Sequence, residues 1–306
     1  KEPCEETVVS LRRIANNQRR RGKLEESIEL YSAASIQAER LGNRLMQCWV
    51  LLDSAVPVAM SGRMSEAFER FRRAEIIARR IHAYAPLVTA LMNQGLVHYR
   101  SGGNYRMAVA ALRRARNVAS LHGLRPHLVV ISVNLAQALF DLGNYRKALA
   151  TAREGIVLAR QFGYRRLLVV HQDNAALHLT MLGKWDEAEV VVTEAMVTAR
   201  RYQIFDSIAS EDHTSALLAS IRGDFLGSRT QQLASLEQHL DLRNVGESIG
   251  SLQEVLSIAL DLRSADIATD AIEKSDSLLE DVAIGSGNAW AVGFRASMCA
   301  YRVLKG

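Results

Sequence analysis

The sequence contains few cysteines and no long apolar run. Its three cysteines, Cys4, Cys48 and Cys299, lie far apart and show no C-x-x-C spacing, so neither a disulfide framework nor a zinc site is indicated. No apolar segment approaches the roughly 18 residues that a membrane span requires. The first residues also show no signal-peptide pattern. These absences favour a cytoplasmic protein that does not interact with a membrane.

Motifs of known catalytic chemistry are also missing. The sequence has no Walker A loop, no G-x-G-x-x-G and no H-E-x-x-H. His171 and His178 have no carboxylate or cysteine at metal-ligand spacing, so we expect them to be polar members of a helix surface. The stretch 246–250 around Ser248 matches the nucleophile elbow G-x-S-x-G, but that motif needs a preceding strand, and here it enters a helical pattern. The sequence therefore predicts no enzymatic activity, no cofactor and no metal site.

The net charge of +5 is unevenly distributed. Residues 206–281 contain 15 acidic and 5 basic residues, so the basic excess falls mainly in the first two-thirds of the chain. A sequence pI of about 9.2 would permit contact with nucleic acid. However, the arginines are spread over several helix ends, without a recognition-helix pattern or interleaved aromatic residues. We therefore predict no direct nucleic-acid binding by this segment.

A six-residue turn recurs along most of the chain. The turn that begins at Gly143 has counterparts that begin at Gly22, Gly62, Gly103, Gly183 and Gly223, in steps of 40 or 41 residues. Such a regular period predicts a solenoid in which each repeat packs on its neighbours. A seventh turn at 263–268 has lost its glycine, and a final capping or truncated helix is expected at about 288–304. We interpret residues 1–306 as one repeat domain.

Each repeat shows the pattern of two helices. After the turn glycine, residues such as Ala67, Phe71, Ala74 and Ala78 recur at helical spacing. They share one face of a second helix, helix B, where alanine lets a neighbouring helix approach closely. The first helix, helix A, precedes the turn glycine and is predicted at 45–61, 87–101, 127–142, 167–182 and 208–222.

The turn and its downstream spacing resemble the tetratricopeptide repeat (TPR). The third copy carries the resemblance with Gly103, Tyr105, Ala108, Leu112 and Ala115. The resemblance covers nearly the whole chain and implies an all-α, right-handed α-solenoid of helix–turn–helix repeats. Its period of 40 rather than about 34 residues is similar to that of LGN-like scaffolds, bacterial peptide-sensing regulators and the sensor regions of MalT/LuxR-type regulators. HEAT and armadillo repeats have a similar length but lack this turn.

The TPR resemblance also implies a peptide-binding groove along the A helices, where an asparagine often holds the backbone of an extended peptide. Asn93, Asn134 and Asn174 occupy equivalent positions before successive turns. A side-chain amide can pair with a peptide C=O and N–H whatever the peptide sequence. The alternative is that these amides bond neighbouring helices or water. Asp53 stands at the equivalent position one repeat before Asn93. The flanking positions would form an apolar floor with scattered polar groups: Trp49, Leu52, Val56, Met92, Leu96, Val133, Gln137, Asp173 and Leu177.

Basic residues crowd the first A helix. Arg12, Arg13 and Asn16 are followed there by Arg19 and Arg20. Such a cluster could bind an acidic residue, a terminal carboxylate or a phosphate. A solvated terminal face is the alternative interpretation.

Two functions follow as expectations. The first is a non-enzymatic module that binds a protein or peptide segment, with an acidic segment favoured by the arginines. The second is the effector-sensing or self-association region of a larger bacterial signal-transduction ATPase or transcription regulator, in which case homo-oligomers are expected. The chain opens on Lys1 rather than methionine and closes on Gly306 close to where another turn would fall. We therefore expect the natural protein to continue in at least one direction.

Overall fold

The computed structural model describes residues 4–204 and, after them, residues 215, 218–219, 221–224, 227–228, 230, 234, 236–237, 252, 255–256, 266, 269 and 272–273. The chain divides between Leu158 and Ala159 into two compact units. The interpretation of 1–306 as one domain stays a prediction. The final helix predicted at 288–304, the G-x-S-x-G stretch and Cys299 lie outside the described residues, and of the seventh turn only Asp266 is described.

Residues 4–204 form ten α-helices and no strand. In chain order they are α1 (Glu5–Arg20), α2 (Leu24–Arg40), α3 (Arg44–Met60), α4 (Met64–Arg80), α5 (Tyr84–Arg100), α6 (Tyr105–Leu121), α7 (Arg125–Asp141), α8 (Tyr145–Gln161), α9 (Arg165–Met181) and α10 (Trp185–Tyr202). The odd-numbered helices are the A helices and the even-numbered ones the B helices. The predicted bounds of α3, α5, α7 and α9 agree with the structure to within three residues. The all-α fold of helix–turn–helix repeats is therefore confirmed.

A glycine of positive φ ends the A helix of each hairpin in residues 4–204. Gly143, between α7 and α8, has φ +77°. Its N–H donates to the carbonyl of Phe140 at 2.7 Å, and that of Asn144 donates to Leu139 at 2.8 Å. These bonds satisfy carbonyls that the helix end leaves open, and only glycine adopts this conformation without a Cβ penalty. The recurring glycine is therefore the stop signal of the A helices.

Two connections from a B helix to the next segment use a residue other than glycine. His82 follows α4 with φ +53°, and Gln203 follows α10 with φ +54°. The corresponding connections after α2 and α6 have Gly42 and Gly123. A side chain in this left-handed conformation costs about 1–2 kcal/mol. The repeat therefore keeps its backbone geometry even where its sequence lacks the favourable residue.

The recurring alanines of the B helices are buried as the spacing predicts. Ala67, Ala74 and Ala78 on α4 have no exposed surface and share a core with Cys48 of α3 and Leu91 of α5. Because alanine is small, it allows the helix axes to approach closely. Successive A helices also contact each other: α1 with α3, α3 with α5 and α5 with α7. In the first unit the A helices therefore lie side by side.

The expectation that His171 and His178 lie on a helix surface is wrong. Both side chains are fully buried in the second unit. His178 stands at the position of α9 where α5 and α7 have Val97 and Ala138, which are also buried. Burial removes hydration from the imidazolium form and so lowers the pKa of His178 to about 4. His178 is therefore a neutral core residue at physiological pH.

No helix in the described part of the chain combines the length and the apolar character that a membrane crossing needs.

Candidate functional site

Each A helix keeps one stripe of residues accessible to solvent. On α5, Met92, Asn93 and Leu96 are half-buried, whereas Leu91 and Gln94 beside them are buried. The same register is accessible on the other A helices, except at Leu52 of α3, which the sequence placed on the groove floor but which is buried. On α3 the half-buried Trp49, about one turn earlier, takes its place. We call these positions the A stripe. Its members are Arg12, Arg13 and Asn16 on α1; Trp49, Asp53 and Val56 on α3; Met92, Asn93 and Leu96 on α5; Val133, Asn134 and Gln137 on α7; and Asp173, Asn174 and Leu177 on α9.

Three asparagines, one on each of α5, α7 and α9, occupy equivalent positions of the A stripe. Asn93, Asn134 and Asn174 are each half-buried, and their side chains form no hydrogen bond with another described residue. The alternative in which they bond neighbouring helices is therefore not observed in the part of the chain that the structure describes. Each amide has both a donor and an acceptor to offer to a ligand.

A depression of about 340 Å³ opens between α1, α2 and α3. The structure brings together here six residues that the sequence analysis singled out: Arg12, Arg13, Asn16, Arg19, Asp53 and Val56. We call it the arginine depression. It is lined by Val9, Arg12, Arg13, Asn16, Arg19, Tyr31, Asp53 and Val56.

An ion pair crosses the arginine depression from α1 to α3. Arg12 donates to Oδ2 of Asp53 from Nε at 2.9 Å and from Nη2 at 2.5 Å. Arg19 instead donates to Oδ1 of Asn16, from Nε at 3.3 Å and from Nη2 at 2.8 Å. Because Arg12 and Asp53 are partly exposed, their pair contributes little to stability. Its main consequence is to neutralise one arginine of the depression.

Tyr31 contributes a neutral hydroxyl to the arginine depression. Burial, and next the negative charge of Asp53, raise the pKa of Tyr31 to about 12, although Arg19 and Arg12 act in the opposite direction. The phenol therefore stays protonated at neutral pH and can donate a hydrogen bond as well as accept one.

A smaller depression of about 200 Å³ lies between α3, α4 and α5 and is mainly apolar. Three predicted residues, Val56, Asn93 and Leu96, line it. We call it the apolar depression; its lining is Val56, Ala59, Met60, Met64, Phe71, Asn93, Leu96, Val97 and Arg100. Val56 lines both depressions, so they adjoin on the A stripe of the first unit.

Other predicted residues have internal partners. On α7, Gln137 donates from Nε2 to Oδ2 of Asp141 at 3.2 Å, and the hydroxyl of Tyr99 donates to the same oxygen at 2.5 Å. Burial, and then the bond to Asp141, raise the pKa of Tyr99. Asp173 on α9 also has an interaction within the protein. Because these side chains already have partners within the protein, they are less available to a ligand than the asparagines.

The remaining predicted residues lie outside the two depressions. Trp49 and Met92 pack against the core of the first unit, and Val133 is half-buried on α7. Asn174 and Leu177 belong to α9 of the second unit, where they occupy the register of the A stripe.

The sequence interpretation missed the contributions of the B helices. Tyr31 on α2 and Phe71 on α4 each line one of the two depressions. Both occupy the position four residues after the small residue of the turn, Ser27 or Ala67. A recurring large residue at that position is a signal that could have identified them.

The second unit contains a separate cavity of about 490 Å³. Leu168 and Gln172 of α9 line it together with residues of α10 and with Arg160 near the end of α8. None of the predicted site residues lines this cavity. The described residues also contain no group of three His, Cys, Asp or Glu side chains that could hold a metal ion.

Comparisons with known proteins agree with this architecture. The family model of anaphase-promoting complex subunit 5 matches residues 92–171. No curated protein matches the sequence. The apo form of RapI superposes with a TM-score of 0.70 at 11% identity, and the match covers 98% of this chain and 99% of RapI. The chain therefore shares the helical-repeat fold of RapI.

Two further structures share the TPR-like fold. NprR, solved in complex with its cognate peptide NprX, has a TM-score of 0.64 at 14% identity, over 99% of this chain and 86% of NprR. A signal transduction ATPase with numerous domains (STAND) from Pyrococcus horikoshii, which has a tetratricopeptide repeat sensor, has a TM-score of 0.68 at 14% identity. That match covers 91% of this chain and 43% of the ATPase. At these identities the likeness shows the fold alone.

Proposed function

We propose that this chain is a non-enzymatic module that binds a peptide or a protein segment along the A helices, with Asn93 and Asn134 as contacts of the first unit and Asn174 as the equivalent contact of the second unit taken by itself. The observation that carries the proposal is that Asn93, Asn134 and Asn174 are accessible and lack hydrogen bonds to other described residues. A side-chain amide in the middle of a helix gains nothing from the helix itself. Because it can donate and accept at once, it is suited to pair with the backbone of an extended segment.

The apolar depression supports the proposal that this module selects among the side chains of a bound segment. Asn93 lines it together with Leu96, Val56 and Phe71. A segment whose backbone bonds to Asn93 would place a nearby side chain over this hollow, where burial of apolar surface contributes about 25 cal/mol per Å². Recognition sites commonly combine an apolar lining with a few polar groups that fix orientation. The crystallised complex of NprR with its peptide supports such a use of the fold.

The experiment begins with a peptide selected from a random library against the full chain. Its affinity is then measured by calorimetry for the variants Asn93→Ala, Asn134→Ala and Asn174→Ala. We expect Asn93→Ala and Asn134→Ala each to weaken a peptide bound to the first unit about fivefold, and Asn174→Ala to do the same for a peptide bound to the second unit, because each variant loses a hydrogen bond worth about 1 kcal/mol. Asn117→Ala is the matched control, since Asn117 is exposed on the B helix α6. Affinity that is unchanged in all three A-stripe variants would remove the asparagines from the site.

A second candidate is the effector-sensing or self-association region of a larger regulator. The observation that favours it is the likeness to the STAND ATPase, of which this chain would correspond to less than half. The sequence of the whole natural protein tests this candidate directly. If the candidate is correct, that sequence contains a nucleotide-binding domain or a helix-turn-helix domain beside this segment. Sedimentation of the chain over a range of concentrations tests the self-association.

We propose a cytoplasmic location for the module. Its support is that Cys4 is an exposed free thiol and Cys48 a buried one. Free thiols persist most readily in a reducing compartment. Fractionation of the source cells, followed by detection of the protein, tests this location.

A further inference from the structure

The arginine depression has an excess of positive charge. Arg12, Arg13 and Arg19 line it, and Asp53 is the only carboxylate in the lining. Asp53 is already bonded to Arg12 by two donors. Arg13 forms no ion pair with another described residue, and Arg19 bonds only neutral groups of described residues, Asn16 and Met60. A net charge of about +2 therefore remains on the walls of the depression.

The groups that remain unpaired in the arginine depression are mostly hydrogen-bond donors. Arg13 keeps its five N–H groups, and Arg12 keeps those that do not reach Asp53. Oδ1 of Asn16 is occupied by Arg19, so the amide offers its NH₂ group to a ligand. Tyr31 adds a hydroxyl. A ligand that matches this set must supply several acceptors and close to two negative charges.

We propose that the arginine depression binds a phosphoryl group, as carried by a phosphate monoester. A phosphoryl group has three acceptor oxygens and a charge of about −1.5 to −2 at neutral pH, whereas a carboxylate has two oxygens and one charge. Planar guanidinium groups match phosphate oxygens in a bidentate manner, which a lysine cluster would not do. This inference adds a ligand class to the proposed function. If the phosphoryl group belongs to a peptide segment on the A stripe, the inference rests on that proposed function; if the ligand is a free phosphate, it does not.

Asp53 lowers the affinity of the arginine depression for an anion. Its carboxylate competes with an incoming anion for Arg12 and repels that anion. Replacement of Asp53 by asparagine would keep the shape of the side chain and release Arg12. The site should therefore bind a phosphoryl group more tightly in Asp53→Asn, an effect opposite to the usual result of altering a binding-site residue.

The test is calorimetric titration of the full chain with phenyl phosphate, and separately with benzoate, which carries the same ring on a carboxylate. We expect phenyl phosphate to bind and benzoate to bind at least tenfold more weakly. Arg13→Gln should weaken phenyl phosphate roughly tenfold or more, since charge-assisted hydrogen bonds are lost. Arg106→Gln, with the same charge change on an exposed residue of α6, is the control. Thermal melts followed by circular dichroism verify that each variant is folded.

Each result of these titrations either supports or contradicts the phosphoryl site. Weaker binding in Arg13→Gln and tighter binding in Asp53→Asn, with Arg106→Gln unchanged, would support the site. No binding of phenyl phosphate, equal binding of benzoate, or equal loss in Arg106→Gln would overturn it. If a selected unphosphorylated peptide still depends on Asn93 and Asn134, such a failure leaves the proposed function intact.

Two further titrations identify the source of the phosphoryl group. One uses inorganic phosphate and the other a short peptide with a central phosphoserine. A peptide that binds at least tenfold more tightly, and that is weakened by Asn93→Ala, indicates a phosphorylated segment on the A stripe. Equal affinities that Asn93→Ala does not change indicate a small free phosphate. Either result supports the phosphoryl site, and binding of neither ligand would contradict it.

Discussion

Gln94 on α5 donates from its side-chain Nε2 to Oε2 of Glu75 on α4 at 2.7 Å. The other oxygen of Glu75 accepts from Arg114 on α6 at 2.8 Å and from Arg79 on α4 at 2.9 Å. One carboxylate, 12% exposed, thus joins three successive helices. Burial tends to raise the pKa of Glu75, but the hydrogen bonds from Gln94 and Arg79 and the charge of Arg114 outweigh it and lower the pKa.

We expect Glu75→Gln to destabilise the first unit by about 1–3 kcal/mol, because Arg114 and Arg79 lose their carboxylate and a buried polar group is left imperfectly paired. Denaturant unfolding of the full chain, followed by circular dichroism, measures the change. The control is Glu69→Gln, which removes an exposed carboxylate paired with Arg72 on the same helix. That pair should contribute little to stability, because solvent screens two exposed charges. Equal losses in the two variants would contradict a special role for Glu75.

Local rules of the backbone made much of the fold predictable from sequence. The turn glycines, such as Gly143, mark helix ends because a positive φ is required there. The alanines of α4 mark the buried face because helices must approach closely at those positions. The register of Asn93, Asn134 and Asn174 followed from the same period.

Features that depend on contacts between distant positions were not predictable from residue type alone. Arg12 and Asp53 are 41 residues apart, and their pairing follows from the contact between α1 and α3. The polarity of His178 suggested a surface position, yet its register matches the buried Ala138. Comparison of each position with its counterparts in other repeats would have been more informative than polarity. The side-chain interactions that occupy Gln137 and Asp173 likewise required coordinates.

We expect the stability of the second unit to fall in mild acid because of His178. Its pKa is lowered to about 4 in the folded state, whereas an unfolded histidine has a pKa near 6.5. Above pH 6.5 neither state binds the proton. Between pH 6.5 and 4 the unfolded state binds it and the folded state does not, so the free energy of unfolding decreases. The loss between pH 7 and 5 should be roughly 2 kcal/mol.

The fluorescence of Trp185 on α10, in a Trp49→Phe and Trp290→Phe background, reports unfolding of the second unit in denaturant at the two pH values. His178→Leu should remove about 2 kcal/mol of the pH dependence, since no proton can be taken up at that position. His82→Asn is the matched control, because it removes an exposed histidine of the first unit. If His178→Leu keeps the acid sensitivity of the parent, the effect does not originate at His178.

Gly95 is buried on α5, where that helix packs against α6. A Cβ added there would be 2.9 Å from Cγ of Leu112 and 3.3 Å from the carbonyl oxygen of Ala108. Leu112 is 1% exposed, and its Cγ is the branch point of the side chain, so it has little freedom to withdraw. Alanine would gain about 1 kcal/mol of helix propensity over glycine, whereas overpacking costs about 1–3 kcal/mol.

We therefore expect Gly95→Ala to be destabilising by up to about 2 kcal/mol, as measured by denaturant unfolding, although the same change in an exposed helix would stabilise it. Leu112→Ala tests the cause. Alone it should cost about 2–5 kcal/mol through the lost side chain, but its cost should be at least about 1 kcal/mol smaller when Gly95 is already alanine, since it also removes the clash. Additive effects of the two substitutions would show that the steric contact with Leu112 does not limit residue 95.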